Sequence, residues 1–189
     1  MPVHAEPGHQ RACVPTNTGA SQSAAEFATY PLRRLDAEVL IDAICQITGT
    51  TETYSSMIPE PFTFLPETQR AIALPDGSIT SPFLEMFGRP ARDTGLTDER
   101  NNRMTSAQAL HLLNSNHIRQ KIEQGPGIRE LIDQAFAPDL IIDELYLTIL
   151  SRRPTLDERL ELTRGAGLDE GYYALAWALI NSEEFLFRH

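Results

Sequence analysis

The chain has 189 residues, 41% of them apolar and 22% charged, which suits one globular domain with a tail and excludes a wholly disordered polymer. Its formal charge of −10 argues against the broad basic face that nucleic acid or an anionic bilayer would need. Nowhere does an apolar run reach the roughly 20 residues of a membrane-spanning helix.

Residues 1–29 are rich in Pro, Gly, Ser, Thr and Gln and poor in large apolar groups. Such a stretch cannot bury enough surface to offset its ordering entropy, so it reads as a flexible lead-in. It holds no apolar core of the signal-peptide type, so the chain as written is expected not to be exported. His4 and His9 lie there without a scaffold or a third ligand, which makes them solvated histidines rather than a metal site. The two cysteines, Cys13 and Cys45, form no Cys-x-x-Cys pair, which excludes a zinc knuckle and covalent haem attachment on this stretch of chain.

From residue 30 onward the pattern is that of one mainly α domain, an irregular helical bundle over 30–189. A first helix is expected over 37–48, with Asp36 as N-cap, Gly49 as the left-handed stop, and a Leu35–Leu40 staple. Leu40, Ala43, Ile44 and Ile47 give it an apolar stripe. Residues 50–80 carry Pro59, Pro61, Pro66 and Pro75, which forbid a long helix and predict an extended arm wrapped on the domain. Within it, 70–74 and 78–80 are expected to form a short hairpin around Pro75-Asp76-Gly77.

The most informative stretch is 81–115. Ser81 with Pro82 opens a helix of about two turns that Gly88 closes. Thr105 with Gln108 opens the next one through a capping box. Its apolar residues lie nearly all round, Leu110 and His111 with Ile118 on one side and Leu112 and Leu113 on the other, so it is expected to be buried. Between these helices stand four arginines, Arg89, Arg92, Arg100 and Arg103, among Asp93, Asp98, Glu99, Asn101 and Asn102. Guanidinium forks at that density suit a carboxylate, sulfate or phosphate. The interleaved acids can instead neutralise the same arginines in an internal network, with His111 as a hydrogen-bonded core member. The network is the favoured reading, since the segment carries too little net charge for an open anion trap.

His111 and His117 stand six positions apart, which on one continuous helix puts them on different faces and excludes a two-histidine metal pair. Tyr146, Tyr172, Tyr173 and Trp177 are expected at core or rim rather than as a carbohydrate platform. Cys45, on an apolar helix beside Ile41 and Ile44, is expected to be inert. Gly125-Pro126-Gly127 marks a break, followed by helices over 128–136 and 140–150. Thr155 with Glu158 caps a helix to about residue 164, Asp169 caps the last long helix, and Ser182 caps a final turn. No catalytic constellation is recognisable.

Several phrases carry a family resemblance: RRLDAEVLIDAICQITG at 33–49, FGRPARDTGLTDERNN at 87–102, QALHLLNS at 108–115, ELYLTILSRRPT at 144–155 and WALINSEEFLFRH at 177–189. Together they resemble the domain of unknown function fifteen-fifty-three, found at the C-terminus of planctomycete and verrucomicrobial proteins associated with cytochrome-c-type domains. The resemblance implies the C-terminal domain of a larger exported, cell-envelope protein, with haem only in an upstream domain. Many relatives hold a Cys-x-Cys pair where this chain has Leu96 and Asp98, which sets aside a thiol-based metal or redox role. The resemblance implies partners among upstream domains or other envelope proteins, while the charge and the short apolar runs argue against nucleic acid and membrane insertion. A non-catalytic assembly or docking role is therefore the leading expectation. The alternatives are a module for acidic or sulfated glycans built on the arginine loop, and an accessory part of a polysaccharide-processing or redox enzyme whose active groups lie upstream.

Overall fold

The computed structural model of the chain describes residues 33–56, 65–74, 78–89, 104–134, 137–165 and 169–188. It is mainly α, as the capping pattern predicts. In chain order the elements are β1 (Arg33–Arg34), α1 (Ala37–Thr48), β2 (Ser55–Ser56), a 3-10 turn (Ala71–Ala73), β3 (Ile79–Thr80) and α2 (Pro82–Met86). There follow α3 (Ser106–Asn114), α4 (Asn116–Gln124), α5 (Pro126–Gln134), α6 (Pro138–Leu150) and α7 (Leu156–Gly165). The chain closes with α8 (Asp169–Ile180), α9 (Glu183–Leu186) and β4 (Phe187–Arg188).

Helix α1 is the hub, packing against α2, α4, α5 and the 3-10 turn. Leu40, Ile41 and Ile44 on it are wholly buried, each contributing roughly 1.5–3 kcal/mol of apolar transfer. Gly49 ends the helix at φ 67°, its N–H donating to the Cys45 carbonyl, as a left-handed cap does. Asp36 occupies the N-cap position, but its side chain makes no capping bond to the first turn. A second layer forms where α6 packs on α8 and both meet α5 and α9. Ile142, Leu145, Ala176 and Ile180 fill that seam.

The two ends of the described chain are tied together. β1 pairs antiparallel with β4, Arg34 opposite Phe187, and Leu35 N–H donates to the Leu186 carbonyl at 2.9 Å. The expected hairpin between 70–74 and 78–80 is not formed. β3 instead pairs with β2, Ser55 opposite Thr80, and 71–73 coils into the 3-10 turn. The reason lies on α1: the Asp42 carboxylate accepts the backbone N–H groups of Ala71 at 2.7 Å and Ile72 at 3.1 Å. Two charge-assisted bonds to consecutive donors favour a turn over a strand there. Ala71 and Leu74 are buried, so the described part of the arm wraps the domain.

Helix boundaries follow their caps. Ser81 Oγ accepts from Leu84 N–H, and Thr105 and Gln108 exchange both bonds of a capping box. Gln108 also donates through Nε2 to the Met86 carbonyl at 2.9 Å, fastening α3 to α2. Thr155 and Glu158 form the second box. Arg152 clamps the α6 exit: its guanidinium bonds Glu158 at 2.9 and 3.0 Å and Glu184 at 2.6 and 2.8 Å. That one side chain joins α6, α7 and α9. Among the described residues no helix is long and apolar enough to cross a membrane.

Candidate functional site

Of the arginine loop, Arg89 is described, and it turns inward. Its side chain is 3% exposed, its Nε lies 3.7 Å from Glu38, and Nη1 donates to the Ile79 carbonyl. Arg34 sits nearby, buried, donating to the Phe87 carbonyl at 2.8 Å with its guanidinium over the Phe87 ring. Arg92, Arg100 and Arg103, with Asp93, Asp98, Glu99 and Asn101, lie outside the described residues.

The two histidines come together, contrary to expectation. A continuous helix would have separated them, but Ser115 ends α3 and caps α4, its Oγ accepting from Ile118 N–H. The resulting bend sets the His111 and His117 rings 6.0 Å apart, over stacked Phe83 and Phe87. His111 meets both phenyl rings edge-on at 5.9 Å, and its Nε2 has no hydrogen-bond partner among the described residues. It is therefore a ring-packed histidine, where a hydrogen-bonded one was expected. Burial, then the neighbouring His117, lowers its pKa and keeps it neutral near pH 7.

His117 faces a polar knot. Its Nε2 lies 2.9 Å from Glu52 Oε2, and Lys121 Nζ lies 3.0 Å from the same oxygen. Lys121 further donates to the Thr51 carbonyl at 2.7 Å and to Cys45 Sγ at 3.5 Å. Burial would raise the Glu52 carboxyl, but the His117 and Lys121 contacts outweigh it and hold it below its ordinary value. Burial pushes the Cys45 thiol up, against the pull of Lys121, so it stays protonated and a weak nucleophile. With all three ammonium donors of Lys121 engaged, the knot pins the 45–52 segment to α4. Among the described residues no three His, Cys, Asp or Glu side chains are placed to hold a metal ion.

An open cleft lies on the other side of α4. Its volume is 570 Å³, within the roughly 300–1,000 Å³ common for ligand sites. Arg119, Ile122 and Glu123 of α4 form one wall. Glu170, Tyr173, Ala174 and Trp177 of α8 form the other, spaced so that they share one helix face. Leu113 of α3 lines it as well.

Helix α3 departs from expectation too. Its buried side chains are Gln108 and Leu112, while Leu110 is 58% and Leu113 48% exposed. Apolar content all round the helix predicted burial, but only one flank finds a neighbour. Of the four aromatics, Tyr146 and Tyr172 are core, whereas Tyr173 and Trp177 stand half-buried at the cleft. Sequence reasoning did not single out Leu113, Arg119, Glu123 or Glu170 as cleft residues. The spacing of Glu170, Tyr173 and Trp177 on one face was the available signal.

Fold and cleft together define a helical domain whose buried polar groups tie one helix to the next and which leaves an aromatic-walled cleft open between α4 and α8. The chain belongs to the family described as PSD1, protein of unknown function (DUF1553), whose model matches residues 9–165. No curated protein and no solved structure matches it.

Proposed function

We propose that this domain is a non-catalytic docking unit that holds a partner polypeptide against the α3–α4–α8 face. One observation carries the reading: Leu110 and Leu113 project into solvent and run on into an aromatic-walled cleft. A single exposed leucine means little, but a contiguous apolar surface beside a concave site marks an interaction surface. Ile72, Met86, Leu140, Leu156 and Leu160 are exposed as well, yet do not line this cleft. Among the described residues, Lys121 and Glu52 are tied up with each other and Arg89 with Glu38. The same pairing of Arg89 weighs against the glycan-binding alternative. Family resemblance points to an upstream domain or another envelope protein as the partner.

The test is made at native expression level in the organism that encodes the chain. The wild-type chain should elute in a complex with a second polypeptide, well above its own 21.1 kDa. The Leu110→Asp/Leu113→Asp double variant, both positions being exposed, should unfold at the wild-type temperature and elute alone. Equal elution of the two chains, complexed or free, would overturn the reading.

A further inference from the structure

We infer that the segment docked in the α4–α8 cleft is a cationic amphipathic one, with an apolar side chain seated between Tyr173 and Ile122 and a lysine or arginine over Trp177 beside Glu170. This rests on the docking reading above and names the chemistry of its partner.

The cleft has an apolar floor and an acidic rim. Ile122 is buried at its base, and Leu113 with the Tyr173 and Trp177 rings supplies further apolar and aromatic surface. At the rim, Glu123 is held by Arg119 across one helical turn at 2.6 Å, so those two charges neutralise each other. Glu170 is different. It is exposed, and it has no ion pair or hydrogen bond among the described residues. Its position three and seven residues before Tyr173 and Trp177 places on the aromatic face a carboxylate that no described residue compensates.

A carboxylate beside indole and phenol rings favours a cation on two counts. The ring faces attract it through their quadrupoles, and the carboxylate supplies the counter-charge. The chain's charge of −10 adds long-range attraction for a basic segment and repulsion for an acidic one. An acidic or sulfated glycan would meet Glu170 as a like charge, so the rim selects against it. The lysine stem or an adjoining leucine covers the apolar floor, which a bare cation would leave wet.

Trp177 is the sole tryptophan of the chain, so intrinsic emission reports directly on this cleft. The experiment titrates the whole chain with a 14-residue helical peptide made only of Leu and Lys in amphipathic order. Leu/Glu, Leu/Ser and Ser/Lys peptides of the same pattern, and tetramethylammonium chloride, serve as comparisons. Trp177 emission should shift saturably with the Leu/Lys peptide and not with Leu/Glu. Glu170→Lys should weaken that binding about tenfold or more, while Glu67→Lys, of equal net charge at another exposed site, changes it less than about twofold.

No response to the Leu/Lys peptide overturns the inference. So does a Ser/Lys peptide that binds as well, since bulk charge would then suffice. Saturation by tetramethylammonium at comparable concentration makes the cleft a small-ammonium site and overturns it too. If the Leu/Ser peptide binds as tightly as Leu/Lys and Leu113→Asp abolishes both, the cation preference fails while the docking reading stands. Failure of the docking reading itself shows separately, in the elution of the Leu110→Asp/Leu113→Asp chain.

Discussion

Gly125→Ala should destabilise the domain even though every local preference favours alanine. Gly125 has φ −68° and ψ 143°, a conformation any L-residue adopts without strain. Replacing glycine at such a position stabilises by about 0.4–1 kcal/mol through the unfolded chain. The space decides otherwise. A Cβ there would lie 2.2 Å from the Thr48 carbonyl oxygen, 2.4 Å from that of Lys121 and 2.8 Å from Thr50 Cγ2. Two of these are backbone atoms that end α1 and α4, so neither can swing away as a side-chain tip would. Overpacking of this kind costs roughly 1–3 kcal/mol, toward the upper end when the backbone must shift. Offsetting the two terms leaves a net loss of about 2 kcal/mol, or roughly 4–8 °C in Tm for a domain this size. Gly127 repeats the test inside α5, its Cβ falling 2.5 Å from the Ile47 carbonyl oxygen. There helix propensity predicts a gain of about 1 kcal/mol, and the contact predicts a loss. Urea unfolding of both variants, read by circular dichroism, measures the sign. Unchanged or raised midpoints would refute the close seating of the α1 terminus on the α4–α5 junction.

Other positions yield sharper or smaller effects. Arg152→Met should cost about 2 kcal/mol by urea unfolding, since it leaves Glu158 and Glu184 facing each other without their shared cation. Hydrogen bonds from Arg152, against a burial penalty, hold the Glu158 carboxyl down at about 2, below its ordinary value of 4.5. Its folded-state pKa being depressed, its contribution is complete above pH 4.5 and disappears as pH falls through 2. Solvent screening of this partly exposed group limits it to about 1 kcal/mol, and Arg152→Met should flatten that part of the profile. His111 is also depressed, by burial, so stability should decline as pH drops below its ordinary 6.5, and His111→Gln should remove that decline. Ser151 ends α6 at φ 57° without being glycine, so Ser151→Gly should raise stability by about 0.5 kcal/mol.

Local capping chemistry was legible in the sequence and tertiary choice was not. Ser81-Pro82, Thr105 with Gln108, Thr155 with Glu158, and Ser182 each mark a helix start that the structure keeps, because a cap is satisfied within four residues. Ser115 carries the same chemistry, but the apolar residues on either side of it continue the helical spacing and hide the break. That concealment is why the His111–His117 approach was missed. The pairing of β2 with β3 was hidden for another reason. It depends on Asp42, distant in sequence, capturing the 71–72 amides. Periodicity also gave the apolar face of α3 without its neighbours, so an exposed Leu110 and a buried Leu112 looked alike. The anion candidates beyond Arg89 fall outside the described residues, and the cleft on α4 and α8 came from two segments no local pattern connects.

Hydrogen–deuterium exchange of the full chain, free and in its native complex, tests the docking face most directly. The account predicts added protection confined to 106–124 and 169–180, with α6 and α7 exchanging as in the free chain. Protection spread evenly over the domain, or concentrated on α7 while α3, α4 and α8 stay unchanged, would contradict it.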